Sequence, residues 1–148
     1  YTIEKIDYCQ NHIVNAAVSS KEAIAREKGI DFEVSINLPE KIDVDSMDIV
    51  SVFTNLLDNA IEECERMTEG AKNITLSCIC QKGTIAICCE NSCADSEKSK
   101  KLVTQKSDKL LHGLGTNIIK KIAEKYDGSY SADAKDGKFS ASVLMMCE

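Results

Sequence analysis

The chain has no tryptophan, and aromatic residues make up only 5% of its 148 positions. Its core must therefore be built mainly from aliphatic side chains. No apolar run approaches the ~18 residues that a membrane span needs, and no signal-peptide pattern follows the first residue, Tyr1. A basic surplus is also missing: 18 Lys and Arg against 24 Asp and Glu leave a net charge of -6. Neutralising the phosphates of a duplex needs such a surplus, so nucleic acid is not an expected partner. No internal repeat and no run of consecutive βαβ units is visible.

What is present is globular composition, 43% hydrophobic and 28% charged, at the size of one domain. The 8 cysteines stand at positions 9, 64, 78, 80, 88, 89, 93 and 147. A chain this long does not need disulfides for stability, so they are expected as reduced thiols that pack like small apolar residues in a cytosol. Zinc sites favour CxxC-like pairs on turns, whereas Cys78 and Cys80 project to the same side of one predicted strand. The chain reads as an excised fragment, with any sensor or anchor outside it.

Residues 7–28 read as a helix with an apolar stripe at Ile13, Ala16, Ala17 and Ile24 and through Ala23–Ala25, stopped by Gly29. The period then changes to two. Ile30, Phe32, Val34, Ile36 and Leu38 alternate with polar residues, predicting a strand that Pro39 ends. Asp45 suits an N-cap for a helix over 46–67, with apolar positions Ile49, Val50, Phe53, Leu56, Leu57, Ala60, Ile61 and Cys64. Residues 73–80 and 84–90 predict a hairpin around Lys82-Gly83, with Ile74, Leu76, Cys78 and Cys80 on one face and Ile85, Ile87 and Cys89 on another. Residues 92–112 lose periodicity and predict a long polar loop, of the kind that serves as a lid. A helix over 116–126, ended by Tyr126-Asp127-Gly128, and strands over 128–134 and 138–146 around Asp136-Gly137 complete the chain. The order predicts an α+β fold: a two-layer α/β sandwich with a mixed sheet and helices on one face.

Two segments carry chemistry. Asn55 and Asn59 are four residues apart and stack on one helix face, away from the core residues Leu56, Leu57, Ala60 and Ile61. Asparagine is a mediocre helix former, so a pair in mid-helix calls for a reason. Their amide oxygens suit a hard cation such as Mg²⁺, and a solvated polar face suits the spacing equally. The second segment is His112-Gly113-Leu114-Gly115-Thr116-Asn117, read as the junction of a loop and a helix. Glycines there let backbone N–H groups approach an anion, though glycine also serves ordinary turns. Lys98, Lys100, Lys101, Lys106 and Lys109 make the neighbouring stretch cationic, as a polyanion ligand or an ordinary solvated loop would have it. His12 has no adjacent carboxylate and reads as a surface or domain-contact histidine, not a phospho-acceptor.

Together these segments resemble the GHKL ATPase superfamily. Residues 52–63, Val-Phe-Thr-Asn-Leu-Leu-Asp-Asn-Ala-Ile-Glu-Glu, resemble its N box, and residues 104–119 resemble its G2 box and the approach to it. Residues 123–128 and a hairpin carrying Phe139 also match, and the version is similar to Agr-type quorum-sensing histidine kinases. The resemblance implies a Bergerat-type fold (histidine kinase-like ATPase), ATP and Mg²⁺ as cofactors, and transfer of the γ-phosphoryl group to a histidine on another domain. It assigns the metal to Asn59 and catalytic positions to Asn55 and Asn59. Cofactor contacts fall to Asn59, Asn91, Lys106, His112, Gly113, Leu114, Gly115 and Thr116, with Thr104 and Lys106 as the Thr-x-Lys of the subgroup.

Two departures stand out. Asn91 occupies the position where most such kinases carry an aspartate that accepts from the adenine amino group, and Asn91-Ser92 is similar to the Agr-type subgroup. Thr116 follows the second glycine where leucine is commoner, which bears on lid packing. Relatives that hydrolyse ATP carry a glutamate at the position of Asn55; an asparagine cannot accept the proton, which favours transfer over hydrolysis.

The resemblance also implies that residues 1–28 continue from a missing dimerisation domain bearing the histidine, and that 29–148 form the catalytic domain. It implies a response regulator downstream, a homodimer in the full-length protein with a monomeric fragment, and a cytoplasmic position in a membrane-anchored sensor. The alternatives are an anti-sigma-type serine kinase, a degenerate nucleotide-binding or interaction module, and a metal–thiolate module.

Overall fold

The computed structural model describes residues 8–94 and 106–147. Its elements run α1 (His12–Glu27), β1 (Asp31–Asn37), α2 (Ser46–Glu65), β2 (Asn73–Gln81), β3 (Thr84–Ser92), α3 (Lys106–Lys125), β4 (Ser129–Lys135) and β5 (Lys138–Met146). The strands form one sheet in the order β1-β2-β3-β5-β4. β1 and β2 are parallel and the other pairings antiparallel, so the sheet is mixed. Burial alternates along β1, β2, β3 and β5, and the three helices cover one face. This is the α+β sandwich that the sequence predicts.

Local chemistry accounts for the elements. Asn11 caps α1, its side chain accepting from the Val14 N–H at 3.1 Å, and Asp45 caps α2, accepting from the Met47 N–H at 2.8 Å. Both hairpin turns place their two central residues in the left-handed region: Lys82 at φ 51° and Gly83 at 75°, Asp136 at 53° and Gly137 at 75°. That twist matches the right-handed twist of the flanking strands.

Three sequence expectations are corrected. First, α1 begins at His12 behind the Asn11 cap, not at residue 7, and its buried side is Val14, Val18 and Ala25, each 0% exposed, whereas Ile13 and Ile24 are exposed. Polar residues share that buried side: Glu22 receives the Arg26 Nε at 2.9 Å, and Asn15 Oδ1 accepts from the Tyr8 N–H. The buried side thus mixes two valines and an alanine with paired polar residues, while the larger Ile13 and Ile24 lie outside it. Second, Leu76 pairs with Cys89, Cys78 with Ile87 and Cys80 with Ile85, and directly paired residues point to the same side. The two sets assigned to different faces thus lie on the one helix-covered face. Third, α3 begins at Lys106, ten residues before the predicted start at 116, so the segment 106–112 is helical instead of loop.

The core is aliphatic, as the composition requires. Phe53 and Leu57 of α2 are fully buried over Leu76, Ile85, Ile87 and Met145 of the sheet, with Ile119 of α3 beside them. Burying a side chain of this size contributes about 1.5–3 kcal/mol. Tertiary packing of α2 thus offsets the helix-propensity cost of its two asparagines.

Candidate functional site

The residues of α2 that face the core, Leu56, Leu57, Ala60 and Ile61, leave Asn55 and Asn59 half-buried on another side of the helix. The amide of Asn55 is oriented locally. Its Nδ2 donates to the Ser51 carbonyl at 2.7 Å and to the Ser51 hydroxyl at 3.3 Å. Its Oδ1 faces α3. There the opposing residue is Gly115, which is buried. A Cβ on Gly115 would stand 3.2 Å from Asn55 Oδ1, 3.5 Å from Asn59 Oδ1 and 3.8 Å from Asn59 Nδ2. The structure therefore brings together three of the residues that the sequence singles out, Asn55, Asn59 and Gly115.

The role of the glycines differs from the expected one. Gly113 and Gly115 lie inside α3 and not at a loop-to-helix junction, so the helix N-terminus expected near 116 is absent there. Each glycine costs roughly 1 kcal/mol in a helix interior relative to alanine. At Gly115 that cost accompanies close approach of α3 to the amides of α2. Glycine reads in sequence as loop punctuation, and here it serves helix packing.

The flanking residues divide. Leu114 is exposed. Thr116 hydrogen-bonds the side chain of Tyr130 on β4; burial pushes the Tyr130 hydroxyl above its usual range, and that bond works against the shift. Lys98, Lys100, Lys101 and Thr104 lie outside the described residues, as do the side chains of Lys106, Lys109 and His112.

Asn91 sits at the end of β3 on the covered face, 3% exposed, paired with Ile74 and Phe139. Its Nδ2 donates to the Ser92 carbonyl at 2.9 Å, which leaves Oδ1 as the acceptor. Two contacts place it along α2. The Cys89 thiol reaches the Leu56 carbonyl at 4.0 Å, and the Cys64 thiol reaches the Ser92 carbonyl at 3.6 Å. Asn91 therefore lies beside the stretch of α2 between Leu56 and Cys64, the stretch that carries Asn59. A cavity of about 450 Å³ opens at this end of the sheet, lined by Asn91 with Phe32, Ile74, Arg26 and Lys138. Asn55, Asn59 and Gly115 do not line it.

Two surrounding interactions escape sequence reading. Lys21 of α1 pairs with Asp58, the neighbour of Asn59, at 2.6 Å. Tyr126 and Lys125 at the end of α3 both bind Asp48 in the first turn of α2. Both link residues far apart in sequence, and neither has a local signature. Among the described residues no group of three His, Cys, Asp or Glu side chains is arranged to hold a metal ion. Cys64, Cys78, Cys89 and Cys93 are buried, and burial pushes the Cys78 and Cys89 thiols up to about 12. His12 is exposed at the first turn of α1.

The GHKL domain family matches residues 44–146, most of the chain. The fold is similar to the catalytic domain of histidine kinase ThkA in a nucleotide-free form, with TM-score 0.72, 20% identity, and 98% of this chain and 99% of that one covered. It is also similar to the mycobacterial sensor histidine kinase MprB (TM-score 0.65, 15% identity, 93% and 95% covered). For the Acinetobacter baumannii histidine kinase AdeS the TM-score is 0.66 at 16% identity, with 93% of this chain but 64% of that one covered. No curated protein matches the sequence.

Proposed function

This chain belongs to the GHKL domain family, and we propose that it is the ATP-binding catalytic domain of a sensor histidine kinase. The observation that carries this reading is the meeting of Asn55 and Asn59 with Gly115, since it joins the two motifs in one place. The residues present fit a metal nucleotide. Amide oxygens are hard ligands that suit Mg²⁺, and the glycine opposite them brings the second motif against the first. In this reading Asn59 holds the cation, Asn55 faces the phosphates, and the Asn91 Oδ1 accepts from the adenine amino group. Lys106, His112, Gly113, Leu114, Gly115 and Thr116 belong to the phosphate side. Bound MgATP supplies the γ-phosphoryl group and the charge that neutralises it during transfer.

What the chain's own residues do is position and exclude. Asn55 cannot take a proton from water at neutral pH, so the site does not activate water for hydrolysis, and the phosphoryl group goes to an incoming nucleophile. We place that nucleophile, a histidine, on a dimerisation domain outside residues 1–148, with residues 1–28 leading from it and 29–148 forming the catalytic domain. In support, α1 packs against α2, and Lys21 pairs with Asp58 beside Asn59, so this segment touches the helix that carries the paired asparagines. The Asn91-Ser92 pair and Thr104-x-Lys106 favour the Agr-type quorum-sensing subgroup. A homodimeric, membrane-anchored sensor with a cytoplasmic kinase domain and a response regulator downstream follows from that assignment. No helix among the described residues is long and apolar enough to cross a membrane.

The test is calorimetric titration with a non-hydrolysable ATP analogue, with and without Mg²⁺. We expect Mg²⁺-dependent binding that Asn59→Ala abolishes while the fold persists by circular dichroism. A folded wild-type chain that binds no adenine nucleotide would overturn the reading.

A further inference from the structure

The sulfur atoms of Cys80 and Cys147 lie 3.9 Å apart, although the residues are 67 positions apart in sequence. Both side chains are half-buried. Cys80 ends the covered row of β2, just before the β2–β3 turn. Cys147 directly follows β5, and its backbone N–H donates to the Gly83 carbonyl of that turn at 2.8 Å. The backbone that carries one thiol is thus tied to the turn beside the other. A disulfide needs the sulfurs at about 2.05 Å, so closure brings them about 1.9 Å nearer than the 3.9 Å between them here. Three of the other thiols differ from this pair in surroundings. Cys78, two residues before Cys80, is 2% exposed and pushed up to about 12 by burial, and Cys89 is equally enclosed. The half-buried Cys88 faces the hydroxyls of Ser140 and Ser142 on the opposite face of the sheet.

We propose that Cys80 and Cys147 form a redox-modification site, closed by a peroxide-class oxidant to an intramolecular disulfide and reopened by a dithiol. In the first step one thiolate attacks a peroxide oxygen; the O–O bond breaks, and a sulfenic acid and water result. In the second step the other thiol attacks the sulfenic sulfur; the S–S bond forms and a second water leaves. Two thiols are oxidised by two electrons in all, and one peroxide is reduced to two waters. A dithiol returns the electrons and leaves as its own disulfide.

The bond closes a loop that contains β3, α3, β4 and β5, and pins the end of β5 to β2. Asn91 lies six residues beyond Ile85, the partner of Cys80, which is about 20 Å along β3 at strand spacing. The modification therefore acts on the stability of the sheet and leaves nucleotide binding alone.

The experiment treats the whole chain with hydrogen peroxide, blocks remaining thiols by alkylation, and maps peptides by mass spectrometry. We expect a Cys80–Cys147 cross-link, a rise in Tm on the order of 5 °C or more, and reversal of both by dithiothreitol. Cys147→Ser and Cys80→Ala each abolish the cross-link and the Tm shift, and Cys88→Ser keeps them. Over-oxidation of either sulfur without a cross-link, a cross-link between another pair, or an unchanged thiol count would overturn the proposal. The wild-type peptide map decides the matter even if a variant fails to fold.

Discussion

The Tyr126 hydroxyl donates to Asp48 Oδ2 across 2.6 Å and accepts from the backbone N–H of Asp45 at 3.0 Å. One phenol thus fastens the end of α3 to the cap and first turn of α2, the two helices that carry Gly115 and the paired asparagines. Tyr126→Phe keeps the ring and removes both bonds. We expect a loss of about 1–2 kcal/mol of stability, read from the midpoint of urea unfolding. A variant as stable as the wild type would show that the fastening contributes nothing.

The same contact sets a pH dependence. Lys125, at 2.7 Å, and then Tyr126 hydrogen-bond the Asp48 carboxylate and hold it below its ordinary value of 3.8, outweighing the opposite pull of burial. A carboxyl whose value is lower in the folded chain than in the unfolded one adds stability above the unfolded value. That stability is lost as pH falls through the folded value. The advantage of the wild type over Asp48→Asn should therefore be constant through neutral pH and shrink below about pH 4. Thermal unfolding of both proteins between pH 2 and 7 measures it; a difference that grows on acidification would contradict the assignment.

Gly128 follows the left-handed Asp127 at the end of α3, and its N–H donates to the Ala123 carbonyl at 2.8 Å. A Cβ at Gly128 would fall 1.7 Å from the Leu144 carbonyl oxygen and 3.0 Å from the Met145 Cα. These are backbone atoms of β5 and cannot swing aside. Gly128→Ala should lower stability by about 3 kcal/mol or more, seen as a large drop in Tm. Wild-type stability would mean that the turn and β5 do not approach so closely.

How much of this was legible in the sequence depended on range. α2, its Asp45 cap, the alternation of β1 and both left-handed hairpin turns came from residues within a few positions of one another, where one period or one turn rule decides. The helix expected over 7–28 starts only at His12, behind the Asn11 cap, and its buried side carries Val14, Val18 and Ala25 together with Glu22 and Asn15, polar residues that are buried with partners and that an apolar count skips. The start of α3 was missed because glycine favours loops locally, while at Gly115 the approach to α2 decides. The Tyr126–Asp48 contact, spanning 78 positions, and the Lys21–Asp58 pair have no local signature at all.

Gly115 offers the sharpest separation of stability from binding. Alanine in a helix interior is favoured over glycine by roughly 1 kcal/mol, so on propensity alone Gly115→Ala should raise Tm. The added methyl, however, meets Asn55 Oδ1 at 3.2 Å and Asn59 Oδ1 at 3.5 Å, closer than Asn55 can accept without giving way. The Ser51 bonds at 2.7 and 3.3 Å limit how far the Asn55 amide can retreat. We therefore expect the propensity gain and this contact to offset one another, leaving Tm close to that of the wild type, and affinity for a non-hydrolysable ATP analogue reduced about tenfold, or about 1.4 kcal/mol. Shortening Asn55 makes room for the methyl, so Gly115→Ala should cost less in an Asn55→Ala background than in the wild type. A double-mutant cycle measures that difference. Full affinity in Gly115→Ala would mean that the placement of the two amides opposite Gly115 does not set nucleotide affinity, and additive effects would mean that Gly115 and Asn55 act separately.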